Sequence, residues 1–98
     1  MQLMETVERI KKEAAPILTR HGVEEAYIFG STVRGEARQD SDVDILVKFK
    51  KLKGLFDFMK VKYDLQDALG GRTVDLVQME AVRPEYQKGI DMQKVRII

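Results

Sequence analysis

Leu3, Val7, Ile10, Ala14 and Ile17 recur at alternating steps of four and three, the period of one helix face. Residues 2–20 therefore read as an amphipathic helix. Pro16 falls inside this run, where its missing N–H predicts a kink or a restart. His21-Gly22 reads as the stop. Ala26-Tyr27-Ile28-Phe29 is a short apolar strand that ends at Gly30. Residues 42–49 carry the strongest strand pattern, with Val43, Ile45 and Val47 alternating against Asp42, Asp44 and Leu46. Residues 54–69 read as a second helix, with Leu55, Phe58, Met59, Val61, Leu65, Ala68 and Leu69 as a broad apolar face and Gly70-Gly71 as its end. Residues 72–77 form a third strand, Pro84 opens a short helix, and residues 95–98 form a last short strand. Helices and strands alternating in this way predict an α/β (α+β) sandwich, a small sheet covered by helices.

Composition narrows the picture. The chain has 98 residues, enough for one domain spanning 1–98 and too few for two of ordinary size. Seventeen Lys and Arg against sixteen Asp and Glu leave a net charge of +1, which argues against a nucleic-acid coat protein and against direct sequence-specific nucleic-acid binding. There is no cysteine, so disulfides, thiolate metal sites and cysteine nucleophiles are excluded. No apolar run approaches the ~20 residues that span a bilayer, and the first residues lack a signal-peptide pattern. The expected location is cytoplasmic, without a membrane partner.

The chemistry concentrates in two stretches, Phe29-Gly30-Ser31-Thr32-Val33-Arg34-Gly35 and Ser41-Asp42-Val43-Asp44-Ile45-Leu46-Val47. Asp42 and Asp44, two apart on a strand, point to one face with Cα atoms roughly 6.6 Å apart. Asp75 lies within Thr73-Val74-Asp75-Leu76-Val77, a strand otherwise fit for a core. If the two strands are neighbours, three carboxylates converge, and their mutual repulsion calls for a cation. Mg²⁺ suits such a site, since it takes oxygen ligands and keeps places for water and phosphate. Two ions about 3.5–4 Å apart are the arrangement that clamps the attacking and leaving oxygens of phosphoryl chemistry. Taken alone, an Asp-x-Asp at a strand start is more often a solvated turn. An aspartate inside an apolar strand is the rarer feature.

Gly30 ends a strand, and the residues after it read as the start of a short helix whose backbone donors favour phosphate. Ser31 adds a hydroxyl, and Arg34 lies on the same side of that turn, within reach of a phosphate or of the protein's own carboxylates. The loop is neither a Walker loop nor a Gly-x-Gly-x-x-Gly fingerprint. Taken on its own, this loop is more often a serine-capped helix after a glycine turn. Arg38 and Asp40 read as a solvated loop, and Lys48, Lys50, Lys51 and Lys53 as a solvated basic loop. His21 reads as a partner of helix-terminal carbonyls, and Tyr27 as strand packing.

Together these features resemble the minimal nucleotidyltransferase domains of the DNA polymerase β-like superfamily, and most of all the MNT antitoxins paired with HEPN toxins. The resemblance covers most of the chain and rests on Gly30-Ser31-Thr32-Val33-Arg34-Gly35, Ser41-Asp42-Val43-Asp44, Gly71-Arg72-Thr73-Val74-Asp75-Leu76-Val77 and Arg83-Pro84. It implies a minimal nucleotidyltransferase fold with a small mixed sheet. It implies that Gly30 and Ser31, with Arg34 beside them, hold the triphosphate of ATP. It implies that Asp42 and Asp44 bind two Mg²⁺ ions, and that Asp75 completes a metal site and helps activate the attacking hydroxyl. The implied reaction moves AMP from ATP to a tyrosine of a HEPN toxin ribonuclease, releasing pyrophosphate and silencing the toxin.

The size of the chain leaves little room for an acceptor pocket, so the acceptor is expected to arrive on another polypeptide. Phe56, Tyr63, Tyr86 and Met92 are the candidate docking residues, although such residues more often serve a core. Two other readings stay open: an antitoxin that neutralises its partner by binding, and a nucleotidyltransferase acting on a small molecule or RNA.

Overall fold

The computed structural model describes residues 3–30, 33, 42–51, 54–85 and 94–98. Helix α1 (Leu3–Arg20) leads into strand β1 (Val23–Phe29). Strand β2 (Val43–Phe49), helix α2 (Leu55–Ala68) and strand β3 (Val74–Gln78) follow, then a single 3₁₀ turn (Met79–Ala81) and strand β4 (Val95–Arg96). The strands form one mixed sheet in the order β3-β2-β1-β4. β1 runs antiparallel to β2 and to β4, whereas β2 and β3 are parallel and joined through α2. A parallel pair needs such a crossover, because the chain must return to the starting edge.

Both helices lie on one face. Val7, Ile10, Ala14 and Leu18 of α1 and Val61, Leu65 and Leu69 of α2 and its end are buried against Ala26, Ile28, Val43, Ile45, Val47, Val74 and Leu76 of the sheet. Each fully buried Val, Leu or Ile side chain contributes roughly 1.5–3 kcal/mol relative to exposure. Val33 packs partly against the same core. Phe49 and Phe58 meet with tilted rings, 6.4 Å between centroids.

Several expectations shift in detail. Helix α1 runs unbroken through Pro16. Pro16 and Lys12 both lie on its exposed side, where water can satisfy the Lys12 carbonyl that the ring leaves without a donor. Leu18, not Ile17, supplies the fully buried residue of the last turn. β1 begins at Val23, three residues before the apolar run suggests, because an irregularity between Val23 and Glu25 interrupts the alternation. Leu55 does not join the apolar face of α2; it is 72% exposed. Lys48 belongs to strand β2 and pairs with Glu24 and Glu25 rather than lying in a loop. The His21 backbone N–H donates to the Ile17 carbonyl at 3.1 Å, but its imidazole meets a side chain: Nε2 lies 2.7 Å from Asp64 Oδ2, tying the end of α1 to α2. Pro84 and Glu85 are helical, and residues 86–93 lie outside the described residues.

Candidate active site

The parallel register of β2 and β3 sets Val43 beside Val74, Asp44 beside Asp75 and Ile45 beside Leu76. Residues paired in this way point to the same side of a sheet. Val43, Ile45, Val74 and Leu76 are buried under the helices, so Asp44 and Asp75 emerge together on the opposite face. Asp42 precedes β2 by one residue and is exposed, as is Asp75, whereas Asp44 is half-buried. The Val43 N–H, between Asp42 and Asp44, donates to the Thr73 carbonyl at 2.9 Å and ties the three acidic positions to one end of the sheet.

On the other side of Asp44 lies β1. Phe29 pairs with Asp44, and Gly30 follows with φ +77°. A Cβ built on Gly30 would sit 2.2 Å from Asp44 Oδ2. The Asp44 carboxylate therefore occupies the space that any other residue at position 30 would fill. Both the backbone angle and the contact require glycine here. The signal for this was present in the sequence only as a glycine ending a strand.

The donor set fits a hard divalent cation: oxygen ligands only, two on neighbouring strands and one at the mouth of β2. The side chains themselves are not gathered into a cage. Among the described residues no group of three acidic or imidazole side chains stands close enough to hold an ion, and the Asp44 carboxylate is turned toward Gly30. Backbone register, not a preformed cluster, brings the acids together. Ser31 and Arg34, the remaining sequence candidates, lie outside the described residues, as do Tyr86 and Met92. Phe56 and Tyr63 are 91% and 54% exposed.

The same sheet face carries a polar group that sequence reasoning missed. The Tyr27 hydroxyl donates to Glu25 Oε1 at 2.7 Å. This bond, aided by the charges of Arg96, Lys48 and Lys94, holds the Glu25 carboxyl below its ordinary value. The same bond, with burial and the Glu25 charge, raises the Tyr27 phenol against the opposing charges of Arg96 and Lys94. Lys94 Nζ lies 4.3 Å from the ring centroid, and the Arg96 guanidinium 5.9 Å. Tyr27 pairs with Leu46, two positions along β2 from Asp44. Leu46 is buried although it stands on this face, apart from the main core.

A mixed sheet with both helices on one face and paired acids emerging at one end of the other, beside a glycine turn, defines a nucleotidyltransferase-type site. Residues 12–98 match the family described as Polymerase beta, Nucleotidyltransferase, and the chain belongs to that family of enzymes. It is 42% identical over 94 residues to the protein adenylyltransferase MntA of Thermococcus cleftensis, covering 92% of this chain and 91% of the relative. It is also 42% identical over 92 residues to a Methanocaldococcus jannaschii protein provisionally named a protein adenylyltransferase, covering 94% and 98%. A solved structure provisionally described as a minimal nucleotidyltransferase superposes with a TM-score of 0.79 at 34% identity, covering 97% of this chain and 95% of that one. The MNT antitoxin in complex with a tri-AMPylated HEPN toxin of Shewanella oneidensis shares the fold, with a TM-score of 0.70 at 18% identity over 93% and 71% of the two chains. Among the described residues no helix is long and apolar enough to cross a membrane.

Proposed function

We propose that this protein is a metal-dependent adenylyltransferase antitoxin that moves AMP from ATP onto a tyrosine of a partner HEPN toxin ribonuclease and so inactivates it. The observation that carries the reading is the pairing of Asp44 with Asp75, with Gly30 giving room to the Asp44 carboxylate. The names of the relatives, protein adenylyltransferases, support the transferred group and the acceptor class. The toxin complex that shares the fold supports the partner.

In the reaction the acceptor oxygen attacks the α-phosphorus, the bond to the β-phosphate oxygen breaks, and pyrophosphate leaves. Asp42, Asp44 and Asp75 would hold two Mg²⁺ ions, which lower the pKa of the acceptor hydroxyl and neutralise charge on the leaving group. Asp75, exposed at the rim, would take the hydroxyl proton as a general base. Gly30, Ser31 and Arg34 would bind the triphosphate, the glycine by close backbone approach and the others by hydroxyl and guanidinium donors. We place the reaction in the cytoplasm.

Exposed Phe56 and Tyr63 favour a second reading, neutralisation by contact alone. One experiment separates the two. A HEPN partner encoded beside this protein is incubated with it, ATP and Mg²⁺, and its intact mass is measured, with Asp75→Ala in parallel. Whole AMP additions with the natural protein only are expected. Tight association and inhibition without any mass gain would leave binding as the function.

A further inference from the structure

We propose that Gln66 is a positioning residue for the acidic site, fixing the start of β3 and through it the place of Asp75 beside Asp44. The inference rests on the nucleotidyltransferase reading and deepens it. Gln66 lies in the last turns of α2, half-buried, and uses two of its oxygens on the segment that follows. Its carbonyl accepts the Gly71 N–H at 2.7 Å. Its side-chain Oε1 accepts the Val74 N–H at 3.0 Å. One residue thus holds the middle of the short link between α2 and β3, at Gly71, and the first residue of β3, Val74.

The second bond falls where the sheet cannot supply one. Among the described residues β3 is an edge strand, with β2 as its only neighbour. In a parallel ladder alternate residues bond to the same side. Val43 donates to Thr73, so the adjacent Val74 N–H faces away from β2, toward the open edge. Gln66 meets that donor. The next residue is Asp75, in register with Asp44. The run Gln66, Val74, Thr73, Val43 is therefore a continuous set of hydrogen bonds from α2 to the backbone between Asp42 and Asp44. The link it braces contains Gly70 and Gly71, with φ +73° and +86°, a turn that is freely deformable in the unfolded chain. Without the side-chain oxygen, β3 keeps its ladder to β2 but loses the bond that sets its starting residue.

The test uses the whole chain and Mn²⁺ as the probe, with a non-hydrolysable ATP analogue present. Mn²⁺ affinity is read by calorimetry, protection of the Val74 amide by hydrogen exchange, and the melting temperature alongside. Gln66→Met keeps the volume and removes the acceptor. It is expected to weaken Mn²⁺ binding about tenfold, as loss of groups that orient metal ligands does, and to expose the Val74 amide. Gln66→Glu keeps an acceptor oxygen and is expected to retain both properties. Mn²⁺ affinity unchanged in Gln66→Met, even with a lower melting temperature, overturns the proposal. So does a Gln66→Glu variant that loses as much as Gln66→Met. If Gln66→Met does not stay folded, Gln66→Ala, with its strong helix preference, takes its place in the comparison. A natural protein that binds Mn²⁺ no better than Asp75→Asn would instead remove the acidic-site reading itself.

Discussion

The two faces of the sheet differ by a single step along each strand. On one face Val43, Ile45, Val47, Val74 and Leu76 are buried beneath two helices. On the other, Asp44 and Asp75 stand side by side, with Leu46 and Tyr27 further along. Neighbouring residues on one strand thus belong to opposite faces, an apolar core and an acidic surface, because alternate side chains leave the pleat in opposite directions. If the acidic face carries the proposed activity, stability and activity are interleaved without being mixed, and point substitutions should separate them.

The largest separation is expected between Asp75→Asn and Ile45→Ala. The first should lower AMP transfer on the order of 10³-fold or more, comparable to loss of a key transition-state contact. It should leave the urea midpoint unchanged or slightly higher, since like charges side by side across strands destabilise. The second should cost about 2–5 kcal/mol of stability by opening a cavity, with the remaining folded fraction still active. A double dissociation in paired activity and urea titrations is the result to look for; parallel losses in both variants would collapse the distinction between the faces.

Gly30→Ala tests the one place where the two properties meet. Its Cβ would collide with Asp44 Oδ2, and its positive φ adds strain of roughly 1–2 kcal/mol for a residue with a side chain. We expect activity to fall on the order of 10²-fold, as when a catalytic group is displaced by about an ångström, together with that modest loss of stability. Steady-state transfer rates and a thermal melt on the same sample measure both.

A smaller effect, confined to the covered side, should come from Asp64. Its carboxyl is held below the ordinary value of 3.8 chiefly by the hydrogen bond to His21, then by the charges of His21 and Arg20. A lowered folded value means a contribution fully present above the unfolded value and lost as pH falls through the folded one. Asp64→Asn should therefore flatten the acid limb of a urea-midpoint profile below 3.8 and leave transfer at neutral pH unchanged. The smallest effect on the isolated chain is expected for Phe56→Ser, within about 0.5 kcal/mol, because that ring is 91% exposed. Its consequence should appear in affinity for a partner, read by a binding titration.

The alternation of residues 42–49 made β2 legible, and with it the outward direction of Asp42 and Asp44. Asp75 stood out as a charge in an apolar strand. Periodicity does not encode which strands are neighbours, so the pairing of Asp44 with Asp75 came from the family resemblance and then from the register itself. Leu55 was misassigned to the core because helical spacing marks a face without fixing where it leaves the sheet. The His21–Asp64 and Gln66–Val74 bonds were invisible for a related reason: each joins a polar residue to a partner that only the crossover through α2 brings near. Glu24-Glu25 hid the first half of β1, since an irregular pleat turns a strand signal into noise.

The register of Asp44 and Asp75 has a thermodynamic corollary. The two residues come from strands that only folding brings together, so the unfolded chain offers no equivalent site. A ligand that engages both carboxylates is a ligand of the native state, and its binding free energy adds to folding stability. At a hundredfold excess over the dissociation constant that linkage amounts to about 2.7 kcal/mol. The melting temperature thereby becomes a gauge of site occupancy, and the protein's persistence rises and falls with the supply of what it binds.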